Sequence, residues 1–192
     1  MVAVRSEEPL TDLQLAQRIA ERHPAYTEKF VREHYPTLFR FMRHLTRRTE
    51  DAEDLTQQAI IKACDQIRSF QGASSLRTWL HTVAFREYTH WRRRQRFTFR
   101  LPEAQSYVET AFESCEEAEA LLAALTRLSN KLREAFLLHE VQGLSLEEVG
   151  EVLRIPAGTV KSRLHNARAQ LRTLLEPAPE EIKYGKATYD CK

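Results

Sequence analysis

The stretch Ser145-Leu146-Glu147-Glu148 has the form of a capping box, in which the Ser145 hydroxyl accepts from the Glu148 amide while the Glu148 carboxylate reaches back to the Ser145 amide. A helix is expected to start there. Leu146, Val149 and Leu153 give it an apolar stripe, and Gly150 supplies a small surface where a second helix can cross closely. Arg154-Ile155-Pro156 then breaks it, because proline lacks the amide a continuing helix needs and its fixed φ pre-sets the start of the next one. In that next helix Val160, Leu164, Ala167, Leu171 and Leu174 recur at steps of four, three, four and three, which predicts one buried seam.

The other side of the second helix is polar. Lys161, Ser162, His165 and Asn166 fall away from the seam, and Lys161, Arg163, Arg168 and Arg172 make four basic residues with no acid between Ala157 and Leu175. A packed back, a polar front for base edges and cations for phosphates are what a recognition helix in a DNA major groove requires. An ordinary surface helix of a bundle is the alternative that carries the same pattern.

Five Gly and seven Pro in 192 residues, among many Leu, Ala, Glu and Arg, favour an all-α fold. A short amphipathic helix is expected over Leu10–Arg22, with Leu13, Ile19 and Ala16 or Ala20 as its apolar side and Pro24 ending it. Three more helices are expected at about Tyr26–Leu45, Asp51–Ile67 and Leu76–Arg94, with Ser74 or Ser75 capping the last. Glu117–Leu175 reads as helical again, with breaks at Leu128–Asn130, Gln142–Ser145 and Arg154–Pro156. The expected architecture is two small helical domains, the second containing a helix-turn-helix, joined by a flexible linker. The boundaries are an extension at 1–24, a first domain at 25–97, an acidic linker at 98–116, a second domain at 117–176 and a flexible tail at 177–192.

The net charge of +2 conceals blocks of opposite sign. Six Arg (Arg86, Arg92, Arg93, Arg94, Arg96, Arg100) face the single acid Glu87 between Arg86 and Arg100, whereas Leu101 to Glu119 holds six Glu and no Lys or Arg. Such blocks suit a nucleic-acid face followed by an acidic linker; a solvated charged surface is the plainer alternative. No apolar run approaches the roughly 20 residues of a bilayer span, and Met1 to Glu8 lacks the apolar core of a signal peptide, so a cytoplasmic protein with no membrane insertion is expected. Cys64, Cys115 and Cys191 are widely spaced, which argues against a zinc site or a disulfide framework. No catalytic constellation is found, so neither an enzyme nor a cofactor is expected.

Gly143-Leu144-Ser145-Leu146-Glu147-Glu148-Val149, followed by Ile155-Pro156-Ala157-Gly158-Thr159-Val160-Lys161-Ser162-Arg163-Leu164, resembles the domain-four motif of extracytoplasmic-function sigma factors. The resemblance implies that Thr159, Lys161, Ser162, Arg163, His165, Asn166 and Arg168 read the minus-35 promoter element. Arg154 stands where the family often has Gly. Asn166 stands where Arg is frequent, which should change base preference, since Asn suits adenine and Arg suits guanine.

A second marker lies upstream. Asp51-Ala52-Glu53-Asp54-Leu55-Thr56-Gln57-Gln58 resembles the polymerase-docking helix of domain two. Helical spacing turns Leu55, Ala59, Ala63 and Ile67 inward and leaves Asp54, Gln57, Gln58, Ile61 and Asp65 outward, an apolar anchor with a polar rim. A single exposed Ile would look the same. The resemblance assigns Asp51, Asp54, Gln57, Gln58, Ile61 and Asp65 to core RNA polymerase, through the clamp coiled coil of its largest subunit, with the flap of the second subunit and an anti-sigma factor as further partners.

Phe70-Gln71-Gly72-Ala73-Ser74-Ser75-Leu76-Arg77-Thr78-Trp79-Leu80 resembles the loop and helix that melt the minus-10 element. Leu76, Trp79, Leu80, Val83, Ala84 and Trp91 share a core face. Thr78, Thr82, Phe85, Thr89 and Arg92 share the opposite one, with Arg86 and Arg93 to its side. On that face Phe85 is expected to stack on an unpaired base while the arginines hold phosphates; packing on the linker or on a regulator is the alternative. The Arg68–Ser75 loop ahead of the helix, rich in small polar residues, is expected to hold the flipped base, and the resemblance assigns Ser74, Ser75 and Arg77 to the minus-10 element as well. Together the readings imply promoter DNA as partner, and a stand-alone helix-turn-helix repressor is the runner-up from another class.

Overall fold

The computed structural model describes residues 10–97 and 116–176, and every regular element among them is helical. The first nine residues, the expected linker except its last residue, and the tail from 177 lie outside the described residues. Helix α1 (Asp12–Ala20) is followed by α2 (Pro24–Thr46), α3 (Thr49–Gln66), a short 3₁₀ turn at Ile67–Ser69, and α4 (Leu76–Phe97). After the linker come α5 (Glu116–Arg127), α6 (Asn130–Phe136) widening into a π turn at Leu137–Val141, α7 (Leu146–Leu153) and α8 (Ala157–Leu175).

Pro24 opens α2 at its first turn, where a missing amide is harmless, rather than merely closing the helix before it. Helices α2, α3 and α4 pack around Phe30, Leu38, Phe41, Met42, Leu55, Ala59, Ala63, Leu76, Leu80 and Ala84, all buried. The alanines of α3 let it lie close against its neighbours. Helix α1 leans on the 3₁₀ turn and the ends of α2 and α4, burying Ala16 and Ile19. Leu13, expected on that apolar side, is instead 52% exposed.

The C-terminal module closes around Leu125, Leu128, Leu137, Leu138, Leu144, Val149, Val152, Val160, Leu164 and Leu171. Its core is continuous with that of the first module. Helix α7 lies directly on α4, and the 137–141 turn touches α2. The two modules, joined in the chain by the linker, share one packed seam, and its first-module side is the expected DNA-facing side of α4.

Candidate nucleic-acid interface

The helix-turn-helix forms as the sequence predicts. The Ser145 hydroxyl accepts from the Glu148 amide at 3.2 Å and Glu148 Oε2 accepts from the Ser145 amide at 2.8 Å. A methyl group on Gly150 would stand 2.8 Å from the Ile155 carbonyl oxygen, which is why the turn into α8 needs glycine there. Arg154 ends α7 in the left-handed region, φ 56° and ψ 50°. The arginine thus adopts the conformation for which glycine is preferred, and the turn geometry is kept.

On α8, Val160, Leu164, Ala167 and Leu171 are buried, as the seam predicts, and Leu174 is half-buried. Lys161, Ser162, His165 and Asn166 lie exposed on one side, with Thr159 half-buried at the helix start. Arg163 is half-buried and close enough to Glu134 to oppose slightly the rise that burial imposes on that carboxyl. Arg168 is exposed but ion-paired with Glu140 of the π turn, its Nε donating at 2.9 Å. The exposed front of the helix is thus narrower than its list of basic residues.

Helix α3 presents a second open face. Asp54, Gln57, Gln58 and Asp65 are exposed, and Ile61 is 62% exposed between them. Asp51 is half-buried at the helix start, with Arg48 Nε 3.4 Å away. The inward set is buried as expected, and Lys62 ties the helix to α4 through Glu87 at 2.7 Å.

The polar side of helix α4 is covered rather than open. Thr78 is 0% exposed, Phe85 9%, and Thr82 is also buried. Phe85 lies beside Tyr88, ring centroids 5.9 Å apart, with Val152, Leu153 and Arg154 of the C-terminal module lining the same cleft. In this arrangement it is not an open stacking surface: the C-terminal module of the same chain covers it. The Thr78 hydroxyl donates to Glu148 Oε1 at 2.5 Å, and Thr82 donates back to the Thr78 carbonyl at 3.1 Å. Arg92 is ion-paired with the buried Glu134, while Arg86 and Arg93 remain exposed and Thr89 half-buried.

The loop before α4 is held in the same way. Ser74 Oγ donates to Glu151 at 2.9 Å, and Ser75 Oγ lies 3.4 Å from Glu148 while accepting from the Thr78 amide at 3.0 Å, the expected cap. Arg77 is half-buried, and its carbonyl lies 2.8 Å from Nδ1 of His81. Nε2 of His81 lies 3.0 Å from the side-chain oxygen of Gln142, both residues buried between the modules. Burial pushes His81 below the ordinary imidazole range, so the neutral ring is favoured there.

Charge at the seam follows from these contacts. Hydrogen bonds from the Thr78 hydroxyl and then the Ser145 amide hold Glu148 below the usual carboxylate range. Burial lifts Glu134 above it, against the pull of Arg92. Sequence reasoning missed His81, Gln142, Glu134 and the outward reach of Glu148. The one available signal was that polar residues such as Thr78, Thr82 and His81 sat on a single side of α4, a pattern equally suited to DNA and to a polar partner in the same chain.

Two helical modules, one ending in a helix-turn-helix with an open basic front and the other showing an apolar anchor ringed by acids and amides, define a DNA-binding protein that also has a protein to meet. The Sigma-70 region 2 pattern matches residues 30–98 and the Sigma-70 region 4 pattern matches residues 118–171. The RNA polymerase sigma factor YlaC of Bacillus subtilis is 30% identical over 170 residues, spanning 83% of this chain and 98% of that protein. The ECF RNA polymerase sigma factor SigM of Mycobacterium tuberculosis is 33% identical over 162 residues, spanning 84% and 82%. Among solved structures, the sigma factor RpoE in complex with the anti-sigma factor NepR from Bartonella quintana aligns with a TM-score of 0.69 at 30% identity, covering 77% of this chain and 95% of that one. CnrH, solved with the cytosolic domain of CnrY, shares the fold at a TM-score of 0.66 and 23% identity. The chain belongs to the sigma-70 family of transcription initiation factors, in its extracytoplasmic-function branch.

Proposed function

We propose that the chain docks on core RNA polymerase through α3, with Ile61 as apolar anchor and Asp51, Asp54, Gln57, Gln58 and Asp65 around it. The largest-subunit clamp is the surface it meets. The observation that carries this reading is the open face of α3, which stays exposed while the DNA-facing side of α4 is covered. Thr159, Lys161, Ser162, Arg163, His165, Asn166 and Arg168 read the minus-35 element, the last after giving up Glu140. Ser74, Ser75, Arg77, Thr78, Thr82, Phe85, Arg86, Thr89, Arg92 and Arg93 serve the minus-10 element. Ser74, Ser75, Thr78 and Arg92 bond to the C-terminal module and Phe85 lines a cleft with it, so the modules separate before melted DNA reaches α4.

The packed arrangement is a resting one in this reading, and polymerase holds the opened one. The protein works in the cytoplasm as a specificity subunit without chemistry of its own. An anti-sigma factor is a further partner, supported by the likeness to RpoE solved in complex with NepR; it would act by favouring the packed arrangement. Among the described residues no helix is long and apolar enough to cross a membrane. Transcription reconstituted from core polymerase, this chain and a promoter library tests the proposal. Promoter-specific transcripts are expected; tight promoter binding by the free chain with no transcript would favour a repressor instead.

A further inference from the structure

Beyond the two modules, helix α1 has a contact that the functional reading leaves unused. The amide of Leu76, the first of α4, donates to Asp12 Oδ2 at 2.7 Å. The first amides of a helix have no partner within it, and Ser75 Oγ satisfies only the one at Thr78. Asp12 thus adds to the cap from a different helix, and its negative charge sits at the positive end of α4. One residue on, Leu13 lies against Gly72: a methyl group there would stand 3.0 Å from the Leu13 side chain, and Gly72 has φ +72°. The exposed Leu13 is therefore a lid on the loop rather than a core residue. Helix α1 also packs along the 3₁₀ turn at Ile67–Ser69 from which that loop departs.

The loop at 70–75 is consequently gripped from two sides. On one side are Glu148 and Glu151 of the C-terminal module, through Ser75 and Ser74. On the other are Asp12 and Leu13. Once the modules separate, only the second grip remains. We infer that Asp12, with Leu13, is a positioning residue for promoter selection: it sets the shape of the 70–75 loop and the start of α4 in the opened protein, and so sharpens discrimination at the minus-10 element. This rests on the proposed role of that loop.

Full-length chain and core polymerase are assembled with promoters that differ at single minus-10 or minus-35 positions, and transcript ratios are measured. Asp12→Ala is expected to reduce discrimination among minus-10 variants about fivefold, the scale of a lost helix cap, while leaving the minus-35 ratios unchanged. Asp12→Asn, which retains an oxygen acceptor without the charge, should recover part of it. A purely structural role would lower the unfolding temperature and scale all promoters alike, which overturns the proposal. Gln71→Ala combined with Ser74→Ala separates the two ideas. If that loop variant changes minus-10 choice and Asp12→Ala does not, the positioning role is wrong and the loop's role stands. If neither changes it, both fall.

Discussion

Thr78 on α4 and Glu148 on α7 are joined by a 2.5 Å hydrogen bond, and the same carboxylate caps its own helix through the Ser145 amide. One side chain therefore serves the local fold of the helix-turn-helix and the docking of the two modules. The second use leaves no trace in the capping-box pattern that announces the first.

Removing that carboxylate should loosen the seam. Glu148→Ala is expected to destabilise α7 by about 1 kcal/mol through the lost cap and to speed hydrogen exchange along the covered side of α4. Native-state exchange followed by mass spectrometry checks this; protection unchanged over residues 76–88 would mean that Glu148 does not help hold the modules together.

Acid should loosen it too. His81 lies below its ordinary value of 6.5 through burial, and His34 and His44 are lowered for the same reason. A histidine that is neutral when folded gives stability that is present above the unfolded pKa and is lost as pH falls through the folded one. The unfolding temperature should therefore drop as pH falls below 6.5. The raised carboxyl of Glu134 works in the opposite sense at lower pH, so His81→Gln is needed to isolate the imidazole. A pH profile identical in that variant would remove His81 from the account.

The docking face can be tested without disturbing the fold. Asp54, Gln58 and Ile61 are exposed, so Asp54→Ala with Gln58→Ala, or Ile61→Ala, should change stability by no more than about 0.5 kcal/mol. Affinity for core polymerase should fall roughly tenfold or more, in keeping with the loss of an interface anchor. Unchanged co-purification with core enzyme would sink the assignment.

Arg154 should be improvable. A non-glycine residue in the left-handed region is disfavoured by roughly 1–2 kcal/mol, partly offset by the greater unfolded freedom of glycine. Arg154→Gly is expected to gain about 0.5–1 kcal/mol in chemical denaturation, and a loss would show that its side chain matters more at the seam than its backbone does.

Base preference offers a separate handle. Asn166 is exposed on the front of α8, so Asn166→Arg should move one position of the selected minus-35 motif toward guanine. A selection that returns the same motif would exclude Asn166 as a reader.

Much of this was legible in the chain. The capping box, the Pro156 break and the four-three seam located the helix-turn-helix, and the inward alanines of α3 located its open face. The cover over Phe85 was not legible, for a physical reason. A helix records which of its faces is polar, but its periodicity cannot say whether phosphates or glutamates will meet the arginines. The acids that do so, Glu134 for Arg92 and Glu148 and Glu151 for the threonine and serines, sit on other elements far along the sequence. The seat of α1 was equally hidden, because Asp12 reads as an ordinary first-turn acid until its carboxylate is seen on the Leu76 amide.

The covered side of α4 answers to two masters in turn, a protein surface and, on the proposed reading, a nucleic acid. Residues with double duty such as Thr78, Thr82 and Arg92 have little room to drift, because a change that suits one surface must also suit the other. Arg86, Arg93 and the front of α8 carry no such burden, being exposed. New promoter preferences should therefore arise first at these freer positions, with the shared side of α4 following slowly and in step with α7.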